Sequence, residues 1–143
     1  MVNWITDLRL GIDYLETRDD IDKQKIGFLG ISNGSNVGLV LTGIETRYKT
    51  LAFISAGLEK DFRSRLPETS PIKFASHIKT QKLFINGRYD ETFPYNTDAK
   101  PLFKLLREPK KIVMYEGGHI PTVEYYVPQV NDWFDETLGK VAR

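Results

Sequence analysis

Short apolar runs alternate with helical patterns along the chain, and this alternation constrains the fold more than any other feature of the sequence. The runs are apolar throughout, which is typical of strands that are covered on both faces. Strands and helices in turn predict a parallel sheet with right-handed crossovers. We therefore expect an α/β fold, a three-layer sandwich with a mainly parallel sheet of about four strands flanked by helices. The predicted strands are residues 25–31, 50–55, 81–85 and 111–115.

Helical patterns lie before and between these strands. Apolar residues recur at spacings of three and four over residues 5–15, which predicts an amphipathic helix ahead of the first strand. The segment 58–80 is polar and irregular, and it is expected to be a long connection over the sheet. Pro128 either kinks the last helix or marks its true start. The remaining helices are predicted at residues 33–44, 96–106 and 123–138.

The composition is that of a single globular domain over residues 1–143 with nearly balanced charge. Lys and Arg number 20 against 19 Asp and Glu, a net charge of +1, so neither nucleic acid nor an anionic membrane is an expected partner. The absence of cysteine excludes disulfides, thiolate metal sites and a thiol nucleophile. Residues 1–10 lack a continuous apolar core, so we predict neither a signal peptide nor a membrane span and expect a cytoplasmic protein.

The first motif that indicates chemistry is GISNG at residues 30–34, directly between a predicted strand and a predicted helix. It matches G-x-S-x-G, the pattern of a nucleophile elbow, in which a sharp turn holds a strained serine and small neighbours leave room for it. The following helix N-terminus offers backbone N–H groups to a developing oxyanion, the N–H of Asn33 first. The alternative is a glycine-rich turn in which Ser32 or Asn33 only caps the helix.

An acid and a histidine follow the next strands. Asp90 comes just past the third predicted strand, and His119 follows a pair of glycines after the fourth. Carboxyl ends of parallel strands share one rim of a sheet, so both side chains are expected within reach of Ser32. Asp90 is alternatively a turn or capping residue, with Glu91 as a substitute acid. The second histidine, His77, lies in the irregular connection and is expected to be solvated or to cap a helix.

The sequence resembles the carboxyl-terminal half of an α/β-hydrolase, close to the dienelactone hydrolase and prolyl oligopeptidase-like branch. The resemblance runs from the helix DLRLGIDYL at residues 7–15, through the strand start at 25–27, to Trp133 and Phe134. It implies a truncated α/β-hydrolase domain that holds the second half of the family's larger sheet. Position by position, it also implies the nucleophile, the acid and the base, which are Ser32, Asp90 and His119.

The early strands of that family have no counterpart in this sequence, and two expectations follow. The second oxyanion donor of the family comes from a loop after an early strand, and losing one such donor typically costs about 100- to 1000-fold in turnover. The strand at 25–31 becomes a sheet edge with unpaired hydrogen-bonding groups. We expect this edge to pair with the same strand of a second copy, in a homodimer or higher homo-oligomer.

Together these features predict a serine hydrolase that cleaves small carboxylic esters through an acyl-enzyme. His119 would take the proton of Ser32, Asp90 would orient the imidazole, and the N–H of Asn33 would hold the oxyanion. We expect no cofactor and no metal, because the two histidines and the carboxylates show no metal-ligand spacing. The candidate substrate-binding residues are Arg88, Tyr89, Phe93 and Tyr125.

Two alternatives stay open at this level. The chain is alternatively a noncatalytic α/β-hydrolase remnant, or an interaction module that pairs through its exposed strand edge. The second alternative is a peptidase, which the family branch suggests, although peptide binding usually relies on pockets of an additional domain. The chain order of serine, acid and histidine favours an enzyme over a noncatalytic remnant.

Overall fold

A four-stranded parallel sheet organises the computed structural model, which describes residues 2–58 and 70–140. The strand order follows the chain, and each strand is parallel to its neighbour. The strands are β1 Gly27–Ile31, β2 Thr50–Ile54, β3 Lys82–Gly87 and β4 Lys110–Tyr115. The helices are α1 Val2–Thr17, α2 Asn33–Ile44, α3 Pro71–Ala75, α4 Lys100–Leu105 and α5 Val123–Leu138, with a 3₁₀ turn at Lys23–Lys25 and a π-helical turn at Tyr95–Ala99.

The core lies on both faces of the sheet, which explains the uninterrupted apolar runs. In β2, Leu51 and Phe53 face the cluster formed with α1 to α4, whereas Ala52 and Ile54 face the cluster formed with α5. All five residues of β2 and all six of β3 are buried. The predicted α/β sandwich with its parallel sheet is therefore confirmed.

Two of the differences between predicted and observed elements come from local backbone chemistry. The first strand begins at Gly27, two residues later than predicted, since Lys23–Lys25 forms a 3₁₀ turn whose Gln24 N–H donates to the Asp22 carboxylate (2.9 Å). The helix predicted at 96–106 is a π-helical turn followed by α4. Pro101 lacks the N–H that would continue a regular α-helix back to residue 97.

The last helix has its predicted bounds, and the long connection contains a short helix. Helix α5 begins at Val123, so Pro128 lies inside it and does not mark its start. The connection predicted at 58–80 contains the short helix α3, which begins at Pro71, a position that suits proline because no N–H is needed there. Residues 59–69 of that connection lie outside the described part of the chain. Within the described part, no helix is long and apolar enough to cross a membrane.

An ion-pair network joins α1 to the end of α2. The Glu45 side chain is only 5% exposed and accepts hydrogen bonds from the Arg47 guanidinium at 2.7 and 2.8 Å. Arg47 also contacts Asp13 (2.6 Å) and Glu16 (2.7 Å) of α1. Hydrogen bonding to Arg47 lowers the pKa of the Glu45 carboxyl to about 2. The charged form of Glu45 therefore stabilises the fold.

Glu45→Gln is expected to lower the free energy of unfolding by about 1–2 kcal/mol at neutral pH. The carboxyl has a lower pKa in the folded state than its usual 4.5, so its stabilisation is complete above that value and is lost as the pH falls toward 2. Urea unfolding of both proteins across this range measures the difference. A difference that stays constant from neutral pH down to about pH 3 would contradict the assignment to the charged carboxylate.

Candidate active site

The turn between β1 and α2 is strained at Ser32. Ser32 has φ 52° and ψ −117°, a conformation that non-glycine residues rarely adopt. Its side chain makes no capping hydrogen bond to α2, so it does not act as the capping serine of the alternative. A Cβ at residue 30 would lie 2.6 Å from the carbonyl oxygen of Gly34, so the turn requires glycine at residue 30. This strained turn leaves the Ser32 hydroxyl available for other partners.

The three side chains singled out in the sequence form one hydrogen-bonded chain. The Ser32 Oγ lies 2.7 Å from Nε2 of His119. On the other side of the ring, Nδ1 lies 2.9 and 3.0 Å from the two carboxylate oxygens of Asp90. The His119 side chain is 24% exposed and that of Asp90 is fully buried. Such an arrangement allows a proton to pass from the serine to the imidazole while the carboxylate stabilises the resulting charge.

Asp90 serves the turn and the histidine at the same time. Its Oδ1 accepts the backbone N–H groups of Thr92 (2.9 Å) and Phe93 (2.8 Å) as well as facing His119. The turn-aspartate alternative and the acid role therefore describe the same residue. Glu91, the substitute acid, is exposed to solvent. These backbone bonds fix the carboxylate in place.

Close backbone packing positions the loop that carries His119. A Cβ at residue 87 would clash with the carbonyl oxygen of Gly118 and lie 2.6 Å from that of Gly117. The ring of Phe93 packs against the imidazole, with centroids 5.4 Å apart and an angle of 60°. Phe93 is buried, so it supports the histidine.

The other candidate side chains take different positions. Arg88 forms an exposed ion pair with Glu116 (2.5 Å), and Tyr89 is 64% exposed at the same rim. Tyr125 packs on Tyr115, with ring centroids 5.3 Å apart. His77 is exposed, and its Nδ1 lies 3.0 Å from a backbone carbonyl in α3, in line with the predicted capping role. Tyr89 is thus open to contact with a ligand at this rim.

The start of α2 presents free backbone donors next to Ser32. The N–H groups of Ser35 and Asn36 donate to the Ser32 carbonyl at 2.9 and 3.2 Å. The preceding N–H groups, those of Asn33 and Gly34, have no hydrogen-bond partner among residues 2–58 and 70–140, and both residues are exposed. A helix N-terminus of this kind favours negative charge. The N–H of Asn33 therefore lies free beside Ser32, and its role as an oxyanion donor stays a prediction.

Two residues of the site were missed in the sequence. The hydroxyl groups of Ser55 and Tyr115 donate to the carbonyl groups of His119 and Gly118. Both residues lie at the carboxyl ends of strands, and this position was the signal that would have singled them out. Across the described ranges, no three His, Asp or Glu side chains form a group that would hold a metal ion.

An apolar groove runs beside the open edge of β1. Within the described part of the chain, β1 pairs only with β2, so its other edge is unpaired, as expected for the predicted edge strand. The groove has a volume of about 450 Å³ and reaches Asn33 at one end. Leu29, at the middle of the strand, is 42% exposed. The groove is lined mainly by Trp4, Leu8, Phe28, Leu29, Ile31 and Val37.

Comparison with known proteins gives a fold but no sequence relative. No known family profile and no curated protein matches the sequence. The structure is similar to an acetyl xylan esterase from Paenibacillus sp. R4, with a TM-score of 0.78 and 19% identity over 94% of this chain and 52% of that one. An α/β hydrolase from Penicillium sp. sh18 gives 0.79 and 12%, covering 95% of this chain and 72% of that one.

A third similar structure is an acylaminoacyl peptidase from Pyrococcus horikoshii, with a TM-score of 0.75 and 17% identity over 97% of this chain and 28% of that one. The chain thus spans about half the length of the xylan esterase and less than a third of the peptidase. At these identities the likeness establishes the fold alone. The chain has the α/β-hydrolase fold, as the resemblance seen in the sequence implied.

Proposed function

We propose that this chain is a serine hydrolase that cleaves small carboxylic esters with Ser32 as nucleophile. The observation that carries the proposal is the continuous chain of hydrogen bonds from the Ser32 hydroxyl through the His119 imidazole to the Asp90 carboxylate. A serine hydroxyl is a weak nucleophile unless a base takes its proton, and an imidazole at 2.7 Å is within reach to do so.

The reaction has two steps that use the same groups. Ser32 Oγ attacks the ester carbonyl while Nε2 of His119 accepts its proton, and Asp90 stabilises the imidazolium. The oxyanion is held by the N–H of Asn33, and the intermediate collapses as the alcohol leaves with the proton from His119. Water then attacks the acyl group with His119 as base, which releases the acid and restores Ser32.

The choice of small esters rests on the rim of the site and on the similar structures. Tyr89 and Ile120, which stand one residue from Asp90 and His119, are exposed and offer an apolar surface open to solvent. Side chains this open to solvent enclose little of a ligand, which favours short acyl groups over long ones. Proteins with this fold include an acetyl xylan esterase, which is named for a small acyl group.

Covalent labelling tests the nucleophile without relying on turnover. A fluorophosphonate probe is expected to react with Ser32 Oγ, which displaces fluoride from phosphorus and leaves a phosphonylated serine. Mass spectrometry should locate the adduct on the peptide that contains Ser32 and should find none in Ser32→Ala. Ser76, an exposed serine, provides an internal control for nonspecific labelling. If Ser32 stays unlabelled while the probe is shown to be intact, the proposal is overturned.

The open edge of β1 supports a second proposal, on assembly. We propose that β1 pairs with β1 of a second copy, because an unpaired apolar strand edge is a template for pairing. The chain is then expected to be a dimer in size-exclusion chromatography with light scattering, and Leu29→Arg to shift it toward the monomer. Leu105→Arg is the matched control, since both leucines are 42% exposed. A monomer at micromolar concentration before any substitution would contradict edge pairing.

A further inference from the structure

The loop that carries His119 is held by its own backbone carbonyl groups. Three successive carbonyls, at residues 117–119, each accept a hydrogen bond from a different residue. One donor is a backbone N–H, which almost any residue supplies, whereas the other two are side-chain hydroxyl groups. The pairs are Gly117 with the N–H of Tyr89 (3.0 Å), Gly118 with the hydroxyl of Tyr115, and His119 with the hydroxyl of Ser55.

Ser55 lies where the nucleophile and the base are joined. It directly follows β2, whose last residue, Ile54, accepts hydrogen bonds from the N–H of Ser32 (2.8 Å) and the hydroxyl of Ser35 (2.7 Å). Ile54 therefore fixes the nucleophile elbow, and Ser55 fixes the base loop one residue later. Two adjacent residues at the end of β2, Ile54 and Ser55, thus help to set the 2.7 Å distance between Ser32 Oγ and His119 Nε2.

The backbone of Ser55 supports a functional reading of this contact. Its φ is 53°, and within residues 2–58 and 70–140 the only other non-glycine residue with a positive φ is Ser32. Ser55 is fully buried, and its N–H donates to the carbonyl of Ile85 (2.8 Å), so the sheet holds it in this conformation. Unfavourable conformations of this kind cluster at functional sites. Both of them here belong to one hydrogen-bonded constellation.

Tyr115 holds the same loop from the other side. It ends β4, is 8% exposed, and packs against the ring of Tyr125. Burial and the charge of Asp90 raise the pKa of the Tyr115 hydroxyl, so the hydroxyl stays protonated and remains a donor. Its bond to the carbonyl of Gly118 restrains the residue that immediately precedes His119.

We propose that Ser55 and Tyr115 are positioning residues for the reaction of Ser32, an inference that rests on the proposed function. Their hydroxyl groups hold the carbonyls of His119 and Gly118 and thereby keep the imidazole within hydrogen-bond reach of the nucleophile. Neither hydroxyl takes part in bond making. Removal of either hydroxyl therefore lowers the fraction of bound substrate that meets a correctly placed base. Substrate binding itself stays nearly unchanged.

Three substitutions separate positioning from folding. Ser55→Ala removes the hydroxyl and keeps the positive φ unfavourable, whereas Ser55→Gly removes it and suits that φ. Tyr115→Phe removes the other hydroxyl alone. Each is expected to lower kcat for p-nitrophenyl acetate by roughly 10- to 100-fold with KM within about twofold. Tyr48→Phe is the control, because Tyr48 is a buried tyrosine near the opposite ends of the strands, and we expect no change in kcat.

Hydrogen–deuterium exchange at the amide of Tyr89, whose N–H donates to the carbonyl of Gly117 in this loop (3.0 Å), gives a second readout that needs no activity. Exchange there is expected to rise at least about tenfold in the Ser55 and Tyr115 variants and to stay unchanged in Tyr48→Phe. Active variants with kcat within twofold of the unmodified chain would overturn the positioning role. An inactive unmodified chain would instead overturn the proposed function, and unchanged exchange in the variants would then show that the two hydroxyls do not hold the loop.

Discussion

Asp90→Asn is expected to lower kcat for p-nitrophenyl acetate by roughly 1000- to 10 000-fold. The carboxylate accepts a hydrogen bond from Nδ1 of His119, which leaves Nε2 free to take the proton of Ser32. An amide can instead donate to Nδ1 and so place the proton on Nε2, where it blocks the base. The amide oxygen can still accept the backbone N–H groups that now bond to Oδ1, so the fold should persist.

Glu91→Gln is the matched control for that substitution. The same change from acid to amide is made one residue away, at a side chain that is exposed to solvent. We expect kcat to stay within about twofold, because a solvated carboxylate at this distance has little influence on the imidazole. A greater loss in Glu91→Gln than in Asp90→Asn would identify Glu91 as the acid and contradict the hydrogen-bonded chain seen in the structure.

Gly87→Ala is expected to lower kcat by about 100-fold while the protein stays folded. A Cβ at this position would clash with the backbone of the His119 loop, at the carbonyl groups of Gly117 and Gly118. The loop must move away, and a displacement of about 1 Å at a catalytic group typically costs this much in rate. Circular dichroism and kcat measured on the same preparation separate loss of position from loss of fold.

Gly11→Ala makes the same chemical change where there is room. Residue 11 lies within α1, and a Cβ there would meet no other atom within 4 Å. We expect an unchanged kcat and a free energy of unfolding higher by about 0.5–1 kcal/mol, since alanine is the better helix former. Full activity in Gly87→Ala would show that the loop tolerates the added methyl group and that its packing does not set the position of His119.

Much of the fold was predictable from the sequence because the strands are covered on both faces. Apolar side chains of β2 point in alternation to the two core clusters, which produces the apolar run at residues 50–54. The π-helical turn at Tyr95–Ala99 was not predicted. The spacing of apolar side chains indicates a helix, but it does not show how the backbone adjusts to the N–H that Pro101 lacks. The short helix α3 was also not predicted, because five residues are too few to show a helical period of apolar side chains.

The sequence predicts residues of the candidate site that follow the carboxyl end of a strand. Ser32, Asp90 and His119 each follow a strand of a parallel sheet, and the structure brings them together at one rim. The ring of Phe93 is buried against the imidazole, so its predicted contact with substrate stays a prediction. Ser55 was missed because its place after a strand indicates the rim of the site but does not indicate which carbonyl its hydroxyl contacts.

The most direct measurement is the rate of hydrolysis of p-nitrophenyl acetate and butyrate by the purified chain and by Ser32→Ala prepared in parallel. We expect saturable turnover in the unmodified chain, a faster rate with acetate than with butyrate, and only the background rate in Ser32→Ala. Removal of the nucleophile costs several orders of magnitude in serine hydrolases, so the contrast should be unambiguous. Equal background rates in both proteins would contradict the assignment of this chain as a serine esterase.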